Sequence, residues 1–128
     1  SFVFSFKANG KVELPRDPKN ILEFEFMLDL PGGLGMNNKK LDKIFQGSAG
    51  IIDMGEVPMA SVKEAPKDGY KNVLKPKEII TGHTYCILAA DGKHYGKIHI
   101  LAFEKNDDGL LKFTWEYQAE ETSKFADK

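Results

Sequence analysis

The chain has 128 residues, with 18 Lys and Arg against 19 Asp and Glu for a net charge of −1. That length fits one domain of about 100–200 residues. The balanced charge argues against sequence-independent capture of nucleic acid or anionic lipid, which needs a strong basic excess. Leu, Ile, Val and Phe supply 34 residues, more than the roughly one-fifth of a chain below which disorder sets in, so a core is expected. No apolar run approaches the ~18 residues of a membrane span. Cys86 is the single cysteine, which excludes an intramolecular disulfide and a multi-cysteine zinc site. Lying within an apolar run, it reads as a small buried hydrophobe. The chain opens on Ser1-Phe2-Val3-Phe4 without an initiator Met, as a mature or trimmed form would.

Phe2, Phe4 and Phe6 alternate with Val3, Ser5 and Lys7, the period of a half-buried strand. Asn9-Gly10 supplies a two-residue turn, and Val12 and Leu14 resume the apolar face, so residues 2–14 read as a hairpin. Pro15 and Pro18 break the pattern. Leu22, Phe24, Phe26, Leu28 and Leu30 then alternate strictly, with Glu23, Glu25 and Asp29 expected to face water. Pro31-Gly32-Gly33-Leu34-Gly35-Met36 reads as a flexible segment with two large apolar side chains. Asn38 is placed to cap a short helix over residues 39–46, with Leu41, Ile44 and Phe45 on one face and Gly47 ending it. Residues 50–54 suit a short strand. Residues 55–78, rich in Pro, Gly and Lys, read as a long irregular connection with one helical turn at Ser61–Glu64.

The region 79–118 predicts a three-stranded meander. Asp91-Gly92 is a strong hairpin signal that pairs Ala90 with Lys93, and hence Thr84 with His99 and Tyr85 with Ile98. A four-residue turn at 106–109 pairs Lys105 with Leu110, and hence Ile100 with Trp115 and Ile98 with Tyr117. Both turns put Tyr85, Ile87, Ile98, Ile100, Phe113, Trp115 and Tyr117 on one face, expected to bury Trp115. The opposite face carries Thr84, Lys97, His99, Thr114 and Glu116, expected to meet solvent or a ligand, together with Cys86, Leu88, Leu101 and Phe103. His99 should stand between Thr84 and Glu116. Residues 1–118 form a single β domain in this reading, and the polar residues 119–128 a frayed tail.

The stretch Gly82-His83-Thr84-Tyr85-Cys86-Ile87-Leu88-Ala89-Ala90-Asp91-Gly92-Lys93-His94-Tyr95-Gly96-Lys97-Ile98 resembles a hairpin, Y-x-(I/V)-x-T-x-D-G-K-Y-A-K-(I/L), that recurs near the end of HmuY-like bacterial surface proteins. Phe113-Thr114-Trp115-Glu116-Tyr117-Gln118 is similar to that family's aromatic last strand, and Phe4-Ser5-Phe6 with Gly10-Lys11 loosely resembles its first hairpin. The resemblance implies an exported all-β protein, secreted or lipid-anchored at the cell surface. Some members of the family capture haem between two axial side chains. Their ligands lie upstream of this hairpin, where residues 1–81 here contain no histidine, so no haem ligand transfers by position.

The candidate ligand-binding residues are Leu34 and Met36, as an apolar lip, and His83 and His99. His83, His94 and His99 do not converge through the hairpin, so a haem or metal pair would need Met36, Met54 or Met59 as second ligand. No metal site is assigned. Asp107-Asp108-Gly109 lacks calcium-loop spacing and reads as a turn. Asp53 and Glu56 have no nearby base, no nucleophilic triad is visible, and Gly32-Gly33-Leu34-Gly35 lacks a phosphate-loop ending, so no catalytic residue is assigned. The reading is an all-β, hairpin-built sandwich or partly open barrel with one short helix. It serves as an exported, non-catalytic module binding a small ligand, haem among the possibilities. The rival reading is a structural or adhesin-like domain of a larger surface protein that meets another surface protein, and a small enzyme ranks last. Oligomeric state is not legible.

Overall fold

A computed structural model describes residues 2–6, 10–13, 24–29, 33–104 and 110–126. Among the described residues nine strands form two antiparallel sheets: β1 (Phe2–Ser5), β2 (Gly10–Glu13), β3 (Phe26–Asp29), β4 (Gly33–Met36), β5 (Gly50–Asp53), β6 (Val73–Leu74), β7 (Thr84–Leu88), β8 (Tyr95–Glu104) and β9 (Leu110–Gln118). The first sheet runs β2-β1-β3-β4-β6 and the second β5-β7-β8-β9. They face each other as a sandwich rather than a closed barrel. Between them lies one apolar layer that includes Phe4, Phe6 and Phe26 from the first sheet and Ile51, Tyr85, Ile87, Ile98 and Ile100 from the second. Each such side chain withdrawn from water contributes about 1.5–3 kcal/mol.

Aromatic rings join the two sheets. Phe4 meets Phe113 and Trp115 edge-on at 5.2 and 5.5 Å, and Phe6 stacks on Tyr117 at 5.1 Å. Gly96 makes room for this contact, since a Cβ there would lie 2.4 Å from the Phe6 ring. The expected face is therefore correct, although Trp115 is half-buried rather than fully enclosed.

The β7–β8 register is the one expected, Thr84 opposite His99 and Tyr85 opposite Ile98. The β8–β9 register is displaced by two. Glu104 pairs with Leu110, and a bulge between Ile100 and Ala102 shifts the ladder once more, so Ile98 faces Trp115 and Ile100 faces Phe113. Two single-residue shifts preserve parity, which is why the inward set survives. The bulge also turns Phe103 onto the core side opposite Leu111, and leaves Leu101 45% exposed. The expected turn at 106–109 lies outside the described residues.

The first hairpin exists, but Ser5 pairs with Gly10, so Gly10 is a strand residue and not half of a two-residue turn. The N–H of Phe6 goes instead to the Glu25 carboxylate at 2.7 Å. Glu25 is correspondingly buried, contrary to the expected wet acidic face, and its other oxygen accepts from the Ala90 N–H at 3.4 Å. The chain bends at Glu25, and strict alternation ends there. Phe26 enters the central layer while Phe24 joins Val3 and Phe45 in a separate cluster outside the first sheet.

Gly33–Met36, expected to be flexible, is strand β4 between β3 and β6. Gly33 has a φ of 88°, and a Cβ there would lie 2.1 Å from the Leu74 carbonyl oxygen, so the close approach of β6 requires glycine. No helix forms over residues 39–46. Asn38 does accept the Lys40 N–H at 2.8 Å, but its backbone bridges Ser48, and Asp42 captures the Ile44 N–H with its side chain at 3.0 Å. These local bonds compete with a helical ladder in a segment shorter than the ~12–15 residues an isolated helix needs. Phe45 is buried, whereas Leu41 and Ile44 remain 38% and 62% exposed.

Residues 55–78 include two 3-10 turns, Met59–Ser61 and Pro76–Glu78; the first shares only Ser61 with the turn expected at Ser61–Glu64, and residues 62–64 are not helical. The segment around Met59–Ala65 covers the outer face of the second sheet. Residues 119–126 dock beside it instead of fraying: Phe125 is buried, its N–H donates to the Lys63 carbonyl at 2.9 Å, and the Ala65 N–H donates to the Ser123 carbonyl at 2.8 Å.

Candidate functional site

The polar part of the meander's outer face, expected to meet solvent or a ligand, is partly covered by that strap, while Thr114 stays exposed. Thr84, Cys86 and Lys97 are buried beneath it. The Lys97 ammonium donates to the carbonyls of Met59 and Val62 at 2.9 Å each and pairs with Glu116 at 3.0 Å. It also stands 4.3 Å from the centre of the Phe125 ring. Burial pushes the Cys86 thiol up to about 12, against the opposing pull of Lys97. Cys86 is the buried small hydrophobe the sequence suggests, and its thiolate is suppressed.

His99 does not meet Glu116, which lies opposite Lys97. It lies between Thr84 and Thr114, and its Nδ1 is 2.8 Å from Thr84 Oγ1. That hydroxyl already donates to the Val57 carbonyl at 2.6 Å, so its oxygen accepts and His99 carries the proton on Nδ1. His83 Nδ1 lies 3.0 Å from both oxygens of Asp53. His94 Nδ1 is held 2.5 Å from Asp91 within the hairpin turn. Burial raises the Asp91 carboxyl, but hydrogen bonds from Lys93 and His94 outweigh it and hold the carboxyl below its ordinary value. The three histidines therefore stand apart, each with its own partner. Among the described residues no cluster of three His, Cys, Asp or Glu forms a metal site. Leu34 and Met36 are fully buried. They belong to the core, so the expected apolar lip does not exist as a surface.

Among the described residues an open concavity lies along the seam where the two sheets meet at one edge. There the Ile51 and Lys71 N–H groups donate to each other's carbonyls at 2.9 and 2.8 Å, and the Met36 N–H donates to Asn72. Residues 71–72 thus tie β5 to β4 by backbone bonds. Two adjoining hollows of about 450 and 300 Å³ share Lys71, Lys77 and Glu78. The larger adds Tyr70, Asn72 and Lys75; the smaller adds Ile52, Leu74 and Ile80.

The wall of this groove is fixed. Pro76 opens the 3-10 turn, and Glu78 accepts the Lys75 N–H at 3.0 Å and the Lys71 ammonium at 2.7 Å. The Lys71 hydrogen bond, and then that of the Lys75 backbone, hold the Glu78 carboxyl below its ordinary value. From the core side the Tyr85 hydroxyl donates to the Glu78 carbonyl at 2.6 Å and accepts the Ile80 N–H at 2.9 Å. Burial lifts this phenol to about 12, against the Ile80 hydrogen bond. Glu78 thus neutralises Lys71, and the Lys77 ammonium makes no ion pair with any described residue. Sequence reading took residues 55–78, with their lysines, as a long irregular connection. The only local signal of a shaped wall was Pro76 beginning a turn that Glu78 closes.

No protein-family model matches the chain, and no curated protein matches it.

Proposed function

We propose that this is an exported or cell-surface binding module, non-catalytic, which takes a small ligand in the groove between β5, β6 and the Pro76–Glu78 turn. The observation that carries the reading is a concavity built on cross-sheet backbone bonds, with the Lys77 side chain on its rim forming no ion pair among the described residues. Pre-formed hollows that combine apolar walls with a few polar groups are the usual form of a small-molecule site. The reactive groups near it are already engaged. Glu78 holds two donors, Asp53 holds His83, and Cys86 is sealed under the strap. Export follows from the resemblance of residues 82–98 and 113–118 to HmuY-like surface proteins.

Haem stays among the ligands to be tried, although His83 and His99 each spend Nδ1 on a neighbour and Met36 is enclosed. A second reading, an interaction domain of a larger surface protein, draws on the exposed Ile44 and Leu41 of the 39–46 turns.

The test is NMR shift mapping with small anionic, neutral and cationic compounds and with haem. Shifts concentrated at residues 52–53 and 70–80 support the groove. Shifts confined to 39–46 on addition of a surface protein would move the function there.

A further inference from the structure

We propose that the ligand of this groove is an anionic amphiphile, a small molecule with one carboxylate or similar acid head on a short apolar body. The inference rests on the groove reading and assigns its chemistry.

The two hollows differ in character. The smaller is walled by the side chains of Ile52, Leu74 and Ile80, and Ile80 is 40% exposed. The larger is lined by Lys75, Asn72 and Tyr70. Lys71 and Lys77 stand where the two join. Glu78 cancels Lys71 alone, because both its oxygens are occupied and its ionised form is favoured. Lys77 then leaves the junction positive, and Lys75 adds a second positive charge in the larger hollow. Asp53, the other carboxylate at the apolar end, is turned to His83.

A neutral apolar ligand would fill Ile80's side and leave the lysine charge unanswered. A bare inorganic anion would meet lysines that are free to stay in water, a contact worth little by itself. A ligand with both parts satisfies both halves, because apolar burial supplies the affinity and the ammonium fixes the orientation.

The experiment titrates the intact protein with octanoate below its micelle concentration, with octanol and with inorganic phosphate, reading Ile52 and Ile80 methyl shifts and the Kd. Octanoate is expected to bind most tightly of the three and to weaken with added salt. Lys77→Glu, on an exposed side chain, should weaken octanoate by about threefold or more and leave octanol unchanged. Ile80→Ser should weaken octanoate and octanol together. Octanol binding as well as octanoate, or phosphate competing equally with octanoate, overturns the amphiphile assignment while leaving the groove as a site. If none of the three probes moves these methyls, the amphiphile assignment and the groove reading both fall.

Discussion

Replacing Lys97 by Met keeps the methylene stem and deletes the ammonium. In the folded protein that ammonium donates to two strap carbonyls at 2.9 Å each and pairs with Glu116 at 3.0 Å, on a residue only 3% exposed. Breaking a buried pair by removing one partner costs about 3–5 kcal/mol. The Glu116 side chain is 18% exposed and regains some water, which places the expected loss near the lower bound, ~3 kcal/mol. Much of that loss should appear as opening of the strap, because the ammonium ties Met59 and Val62 to the sheet. Cys86 reports the opening directly, since it is fully buried beside Val62, Ala65 and Phe125. At 1.4 kcal/mol per tenfold, its reaction with an aromatic disulfide reagent should speed up ~100-fold in Lys97→Met. Urea unfolding should give the matching loss of stability. Adding Glu116→Gln removes the carboxylate that faced the ammonium and should restore part of that loss. A thiol rate in Lys97→Met within about threefold of the parent would show that Lys97 does not hold the strap, and the argument would fail.

Four further outcomes are expected. Phe125→Ala should cost ~3 kcal/mol by urea unfolding and likewise expose Cys86 to thiol reagents, because its ring closes the same cluster. Gly33→Ala should lower stability by more than ~2 kcal/mol in thermal unfolding, since it adds a Cβ to a residue at φ 88° and drives it into the Leu74 carbonyl. Asp91→Asn should narrow its stability gap to the parent as pH falls. The folded Asp91 carboxyl is held below its ordinary value, so its contribution is present above the unfolded pKa and is lost below about pH 4 as pH falls through the folded one; a gap that widens with acid would contradict the assignment. Titration with haem should leave the absorbance of free haem unchanged, and if a shift is seen, His99→Ala should not abolish it.

Much of the sandwich was legible because strand parity is robust. The Asp91-Gly92 turn fixed β7 against β8, and the inward set of β9 survived a register error of two because only odd errors exchange the faces. What the pattern hid were residues that make bonds across the fold. Glu25 sits in an alternating run as any exposed carboxylate would, yet the Phe6 and Ala90 N–H groups draw it inward. Gly33-Leu34-Gly35-Met36 has the composition of a loop. It becomes a strand because Leu28 and Leu74 face Leu34 from either side and the glycine lets β6 approach. The 39–46 turns have a helical apolar spacing, but Asn38 and Asp42 turn their hydrogen bonds back on the local chain.

The site was less legible than the fold for a related reason. Sequence directs attention to residues with chemistry of their own, and here those residues have been taken up by neighbours: His83 by Asp53, His99 by Thr84, Cys86 by the strap. The groove is formed instead by where ordinary lysines and isoleucines come to rest. Lys71 lies beside β5 because its backbone pairs with Ile51, 20 positions earlier in the chain. Ile80 reaches the surface because the Tyr85 hydroxyl holds its N–H from beneath. Neither placement leaves a local periodicity. The first arises from long-range backbone pairing and the second from a buried side-chain hydroxyl, and together they hold the groove: a ligand entering it meets walls already fixed by the core, and little ordering cost remains to oppose binding.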